Sequence, residues 1–143
     1  MDAKVIQFLE KNRVCSLSTQ LSDNSPHGAA MHYSIQQNPL LLYFSADRTN
    51  KKMAKVLKDN VSKASVVVGF SEEEWVTLQM DGRLTLVACN DEVNKIKKVH
   101  YLKNPTSQEF ENDPGTIFLI FKPSWWRYTD YNTDPPKILK GKS

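Results

Sequence analysis

Leu40–Lys58 reads LLLYFSADRTNKKMAKVLK. The apolar run Leu40-Leu41-Leu42-Tyr43-Phe44 is long enough for a buried strand and rich in strand formers. Ser45-Ala46-Asp47-Arg48 is a polar turn. Beyond it, Met53, Val56 and Leu57 share one face of a helical pattern. Thr49 stands where an N-cap hydroxyl would accept from an amide of the first turn. Lys51 and Lys52 fall in that turn, where the helix dipole disfavours positive charge. An anion would relieve the conflict, and a phosphate suits the free amides, the hydroxyl and the two ammonium groups. The alternative is a solvated helix end, with both lysines in water.

Outward from this stretch the chain reads as one domain over residues 1–143. A length of 143 residues leaves room for a hydrophobic core, and 40% apolar with 24% charged residues is a globular composition. A net charge of +3 permits an anionic ligand without demanding nucleic acid. Cys15 and Cys89 form no CxxC pair, so neither a zinc ribbon nor a thioredoxin-like site is supported. MDAKVIQFLEKNR lacks the features of a secretory leader, and no run approaches the roughly 20 apolar residues of a membrane span. The expectation is a reduced, cytoplasmic protein with no membrane partner.

Ala3–Asn12 has the pattern of an amphipathic helix, with Val5, Ile6 and Leu9 on one side. RVCSLSTQ, from Arg13 to Gln20, alternates as a half-buried strand does. Asp23-Asn24-Ser25-Pro26 is a turn. His27–Gln36 reads as the next strand, followed by the turn Gln37-Asn38-Pro39. ASVVVGF (Ala64–Phe70) is a β-branched strand in which Gly69 marks a bulge or a close backbone approach. Trp75–Ala88 alternates at Val76, Leu78 and Met80, with a bend at Gly82. Asn90 is placed to cap a third helix carrying Val93, Ile96 and His100 on its inner face. Asn104–Gly115 reads as a loop or frayed helix end. TIFLIF (Thr116–Phe121) and SWWRYTDY (Ser124–Tyr131) read as two strands broken by Lys122-Pro123. Residues 132–143 read as an irregular tail. Short strands separated by turns fit an antiparallel barrel with about three helices better than a doubly wound sheet.

With RVCSLST, SPHGAAMHYSI, LLLYFSADRTNKKMAKVLKDN, SVVVGF and WVTLQMDGRLTLV in this order and spacing, the chain resembles the FMN-binding split-barrel family of pyridoxamine 5′-phosphate oxidase. The resemblance runs from about Val5 to Tyr131. It implies a mainly β fold, a six-stranded antiparallel Greek-key split barrel, assembled as a homodimer with FMN at the subunit interface. It places the backbone of Ala30, Met31, His32 and Tyr33 beside the isoalloxazine ring, and Phe44 and Ser45 near the cofactor. It assigns the phosphate to Lys51 with Thr49, or, in a register one residue later, to Asn50 with Lys51 and Lys52. It brings Thr77 or Gln79 to the polar edge of the ring, and Trp125, Trp126 and Arg127 to the flavin held mainly by the partner subunit. The implied activity is flavin-dependent oxidation or reduction of a small organic substrate. A non-enzymatic flavin-binding or sensing protein, or a split barrel using deazaflavin or haem, is the alternative. The Arg-x-His element with which true pyridoxamine 5′-phosphate oxidases handle substrate is absent, since Arg127 is followed by Tyr128-Thr129. No catalytic acid or base is expected, because a flavin carries the electrons itself.

His27 and His32 are an odd number of residues apart and would face opposite sides of a strand, so no metal site is expected. Cys15 reads as a small core residue. Adjacent strand residues face opposite ways, so at most one of Trp125 and Trp126 would meet a cofactor. The lysines of the third helix do not form a continuous basic stripe with Glu72-Glu73-Glu74 nearby, and no nucleic-acid partner is expected.

Overall fold

The structure is a computed structural model that describes residues 1–142. The chain runs α1 (Ala3–Lys11), β1 (Val14–Gln20), β2 (Pro26–His32), β3 (Ser34–Gln36) and β4 (Leu41–Asp47). A 3-10 turn (Lys51–Met53) leads into α2 (Ala54–Asp59), β5 (Val61–Val68), β6 (Val76–Leu86) and α3 (Asn90–Lys103). A second 3-10 segment (Pro105–Phe110) precedes β7 (Thr116–Asp130) and β8 (Lys137–Lys142). All strand pairs are antiparallel, in the order β2-β1-β5-β6-β7-β4-β3, with β8 added to β7. The fold is mainly β, a curled antiparallel half-barrel of the split-barrel kind, with eight strands described where six were expected.

The curl follows from the connectivity. β2 and β3 lie at opposite ends of the sheet order, yet only Tyr33 separates them in sequence. One residue spans less than 4 Å, so the two ends of the sheet must meet there. The expected single strand His27–Gln36 is therefore two strands that pair at opposite ends of the sheet. Tyr33 is fully buried at the corner, and its hydroxyl donates to the Leu9 carbonyl at 2.8 Å.

Inside the curl lies one apolar core. Leu17, Val66, Leu78, Leu84, Phe44 and Phe121 point inward, closed off by Val5 and Leu9 of α1 and by Met53 and Val56 below. Cys15 belongs to this core, and burial pushes its thiol up to about 12, so it stays a protonated apolar side chain. A smaller cluster joins the outer face of β4 and β7 to α3 through Tyr43, Phe118, Ile96 and Tyr101. β4 is thus covered on both faces, which explains its unbroken apolar run.

Several local expectations are corrected. Thr49 does not cap a helix; its amide and hydroxyl both donate to the Asp47 carboxylate, at 2.8 and 2.7 Å. Asn50 holds the N-cap position of the 3-10 turn without a side-chain bond. Asn90 is the first residue of α3, and Cys89 stands before it. Lys122-Pro123 does not end a strand: β7 continues through it as 15 residues. The register shifts at Asp81/Gly82, so Asp81 pairs with Trp125 and Gly82 with Pro123, leaving Ser124 as the bulged residue. A bulge accommodates a proline without a ladder amide. Part of the expected irregular tail is a strand, because Lys137–Lys142 pairs with Trp125–Asp130. At Gly82, where a bend was expected, β6 runs on as one strand and the register shift stands instead. The close approach at Gly69 is present: Gly69 has φ +95°, and a Cβ there would lie 2.3 Å from the Val76 carbonyl oxygen.

Candidate functional site at the split of the barrel

β3 is only three residues long and pairs with Leu41–Tyr43. β4 runs on to Asp47, pairing with β7 on one side and, among the described residues, with no strand on the other. β2 pairs with β1 and has a free second edge along Pro26–His32. Two unpaired edges, from strands joined through Tyr33 and the short β3, therefore bound the split. Free backbone donors and acceptors at such edges need partners.

The floor of the split is the 3-10 turn. It packs against β1 and β2, and the Thr19 hydroxyl donates to the Lys52 carbonyl at 3.0 Å. Lys51 is exposed close to the β1–β2 turn, where its charge acts on Asp23. Lys52 is half-buried, and desolvation holds its ammonium below the usual range. Among the described residues it has no carboxylate partner. Asp47 works against an anion here: Thr49 hydrogen bonds hold its carboxyl below the usual range, so it is charged.

The roof is α3. His100 is 1% exposed and bridges two strands, with Nδ1 2.9 Å from Ser34 Oγ and Nε2 3.4 Å from Ser45 Oγ. Burial first, then the charges of His32 and Lys103, push its imidazole down to about 4, so it is neutral near pH 7. The end of α3 is anchored too: Asn104, just past the helix, donates to the Tyr33 carbonyl at 3.1 Å, and Lys103 donates to the Leu9 carbonyl while lying 4.1 Å above the Tyr33 ring. Beside Ser45 a cavity of about 270 Å³ is lined by Asp47, Ser107, Phe110, Asp113 and Thr116.

The residues singled out from sequence thus fall into three groups. Ala30, His32, Ser45, Lys51 and Lys52 border the split; Ala30 and His32 are exposed on one face of β2. Met31, Tyr33 and Phe44 turn their side chains into the interior, leaving only backbone to the split. Asn50 and Thr49 are exposed on the loop below. Thr77, Gln79, Trp125 and Arg127 lie on the outer face of the sheet, where Gln79 pairs with Arg127 and Thr77 with Thr129. Trp126 faces the opposite way, 8% exposed in the core beneath Gly141. His100, Ser107, Phe110 and Asp113 were not foreseen at the site. No spacing marks them, because they reach it only through the path of α3 and the segment after it.

The fold recurs in solved structures. A conserved hypothetical protein of Mycobacterium tuberculosis superposes with a TM-score of 0.74 at 15% identity, over 92% of this chain and 86% of that one. A Clostridium acetobutylicum protein related to general stress protein 26 of Bacillus subtilis, of the pyridoxinephosphate oxidase family, gives 0.72 at 16%, over 97% and 92%. A haem-binding protein of Mycobacterium smegmatis gives 0.76 at 10%, over 95% of this chain and 55% of that one. At these identities the likeness is one of fold. No curated protein matches the sequence. The family model of pyridoxamine 5′-phosphate oxidase does match, over residues 1–130, and the chain belongs to that family.

Proposed function

We propose that the chain binds FMN at the split, as one half of a homodimer, and works as a flavin-dependent oxidoreductase on a small organic substrate. The observation that carries this reading is Lys52: a half-buried ammonium with no carboxylate partner among the described residues, beside exposed Lys51, on a turn that packs against β1 and β2 next to an unpaired strand edge. The fit to FMN is chemical. A dianionic phosphate matches two ammonium groups, and a flat ring with polar edges matches free backbone groups and the Ser45 hydroxyl. When bound, FMN supplies the electron and hydride transfer. The chain's part is to hold the phosphate with Lys51 and Lys52, to lay the Ala30–Tyr33 backbone along the ring, and to orient Ser45 through His100. Thr77, Gln79, Trp125 and Arg127 are on the outer face, away from their own split, and reach a cofactor only from a second subunit. Thr49 contributes little to the phosphate, because its donors are occupied by Asp47.

Changing Lys51 and Lys52 together to Ala is expected to weaken FMN by about 2 kcal/mol, roughly 30-fold, while riboflavin, which has no phosphate, changes little. Fluorescence quenching titrations measure both. Equal weakening of the two ligands removes the phosphate assignment, and absence of quenching in the wild type removes FMN. Bleaching of the flavin by a reduced nicotinamide donor, followed by turnover with an acceptor, separates an enzyme from a flavin-binding sensor.

One observation favours a haem reading as the alternative. The exposed His32 imidazole stands at the split, and a haem-binding protein shares the fold. The absorbance spectrum of the protein as isolated distinguishes a flavin from a haem Soret band.

A further inference from the structure

We propose that the outer face of the sheet carries a second anion site, separate from the split, for a compact polyanion bearing two or more phosphate or carboxylate groups. The site is built by strand register. Lys63 on β5 pairs with Arg83 on β6, and Arg83 pairs with Lys122 on β7. Three cations thus stand side by side on one face, in a row across three strands. Neighbouring strands are about 4.8 Å apart, so the row spans about 10 Å. Like charges directly opposite one another destabilise a sheet. All three are exposed, and among the described residues none has a carboxylate within salt-bridge distance.

Beside this row lies a groove of about 470 Å³, lined by Ser18, Gln20, Lys63, Ser65, Asp81 and Arg83 among others. That volume is in the range of small-molecule sites. Its shape follows from the β6–β7 bulge. A Cβ on Gly82 would lie 2.1 Å from the Lys122 carbonyl oxygen, so the strands meet there as only glycine allows. The bulged Ser124 ties the groove wall to β6 by donating to the Asp81 carbonyl at 3.2 Å. On the other side, Gly28 leaves the Ser18 hydroxyl uncovered, with its missing Cβ 3.5 Å from Ser18 Oγ. Hydroxyl donors on the floor and guanidinium and ammonium groups on the rim form a donor set for anionic oxygens. Asp81 is the one carboxylate in the lining, and it leaves the row with a net positive charge.

Two cations would suffice for a monoanion, and a solvated surface would alternate its charges. Three in direct register call for a ligand with more than one negative group. The cationic row stands on β5, β6 and β7 rather than on the β2 and β4 edges that bound the split, so the site does not depend on the cofactor reading.

Pyrophosphate is the probe, with citrate in parallel and sodium chloride at matched ionic strength, followed by thermal denaturation and calorimetric titration. Wild type and the Lys51→Ala/Lys52→Ala variant are both expected to be stabilised by pyrophosphate, and to bind it whether or not FMN is present. Arg83→Gln is expected to show two opposite effects. Its melting temperature without ligand should rise, because the central like charge is gone, and its response to pyrophosphate should fall at least tenfold in affinity. Lys63→Gln should weaken binding in the same direction. A response to citrate in place of pyrophosphate supports the site and assigns it to carboxylates. The proposal is overturned if matched sodium chloride reproduces the stabilisation, if Arg83→Gln responds as wild type does, or if Lys51→Ala/Lys52→Ala abolishes the response. It is also overturned if Arg83→Gln changes only self-association, which would make the acidic Glu72-Glu73 turn of a second copy the true occupant.

Discussion

At the scale of single residues, His100 concentrates the most consequence. It is a buried imidazole whose two nitrogens meet two hydroxyls on different strands, so a neutral ring donates to one and accepts from the other. Protonation would put a charge in a desolvated place and remove the acceptor. The folded value near 4 lies below the ordinary value near 6.5, so the unfolded chain binds the extra proton first as pH falls. This part of the stability is complete above about pH 6.5 and is lost progressively down to about pH 4, by roughly 3 kcal/mol at about 1.4 kcal/mol per pH unit. Denaturant unfolding of wild type and His100→Gln across this range tests it. The wild type should lose that extra amount relative to the variant, while parallel curves would mean that His100 does not titrate as its burial implies. The same experiment bears on the site, because Gln can still reach Ser45. Asn, being shorter, should leave Ser45 unheld and lower FMN affinity more than Gln does. In sequence His100 was legible only as an inner-face helix residue. Its two partners come from 66 and 55 residues away, and nothing local announces them.

At the scale of elements, the apolar runs and alternations that rest on side-chain burial were readable: α1, β1, β4, β6 and the helical part of α3. What was not readable depended on pairing. Lys122-Pro123 looked like a break because proline lacks an amide, but β7 absorbs it at a bulge opposite Gly82. The tail looked unstructured because KILKGK is polar. Its strand forms because β4 ends its pairing with β7 at Phe121, leaving the second half of β7 an open edge that β8 fills. β8 also completes the core, since Trp126 lies over Gly141, where a Cβ would come within 2.7 Å of the indole Nε1. Thr49 departs from the capping role its position suggests for a related reason. An Asp two residues earlier offered its donors a nearer acceptor than any helix end. The bulge gives an element-scale prediction. Gly82→Ala places a methyl against backbone, which cannot rotate aside, and should cost about 3 kcal/mol of unfolding free energy. A loss below about 1 kcal/mol in urea denaturation would show that β6 and β7 slide apart easily, against the close approach seen here.

At the scale of the whole molecule, the sheet has two differently treated outer surfaces. The half formed by β3, β4 and the start of β7 lies under α3. The half formed by β2, β1, β5, β6 and the end of β7 lies under no helix among the described residues, and its central row reads Ala30, Ser16, Val67, Gln79 and Arg127 across five strands. The small side chains of Ala30, Ser16 and Val67 permit a second sheet to approach closely. The residues expected to reach a cofactor from the neighbouring subunit lie on this half, and the split opens at its β2 edge. If two copies meet here, each completes the other's site, and assembly and ligand binding become linked. Val67→Arg tests the linkage. The side chain points outward, so the core and the ladder remain intact, but a long cation between Ser16 and Gln79 would oppose a close sheet-to-sheet contact. The variant should sediment as a monomer with unchanged secondary structure and bind FMN at least tenfold more weakly, a loss of about 1.4 kcal/mol. A monomeric variant that binds FMN as tightly as wild type would mean that one chain forms the whole site. A variant that remains dimeric would place the interface on another face, with Thr77, Gln79 and Trp125 left without a role at the cofactor.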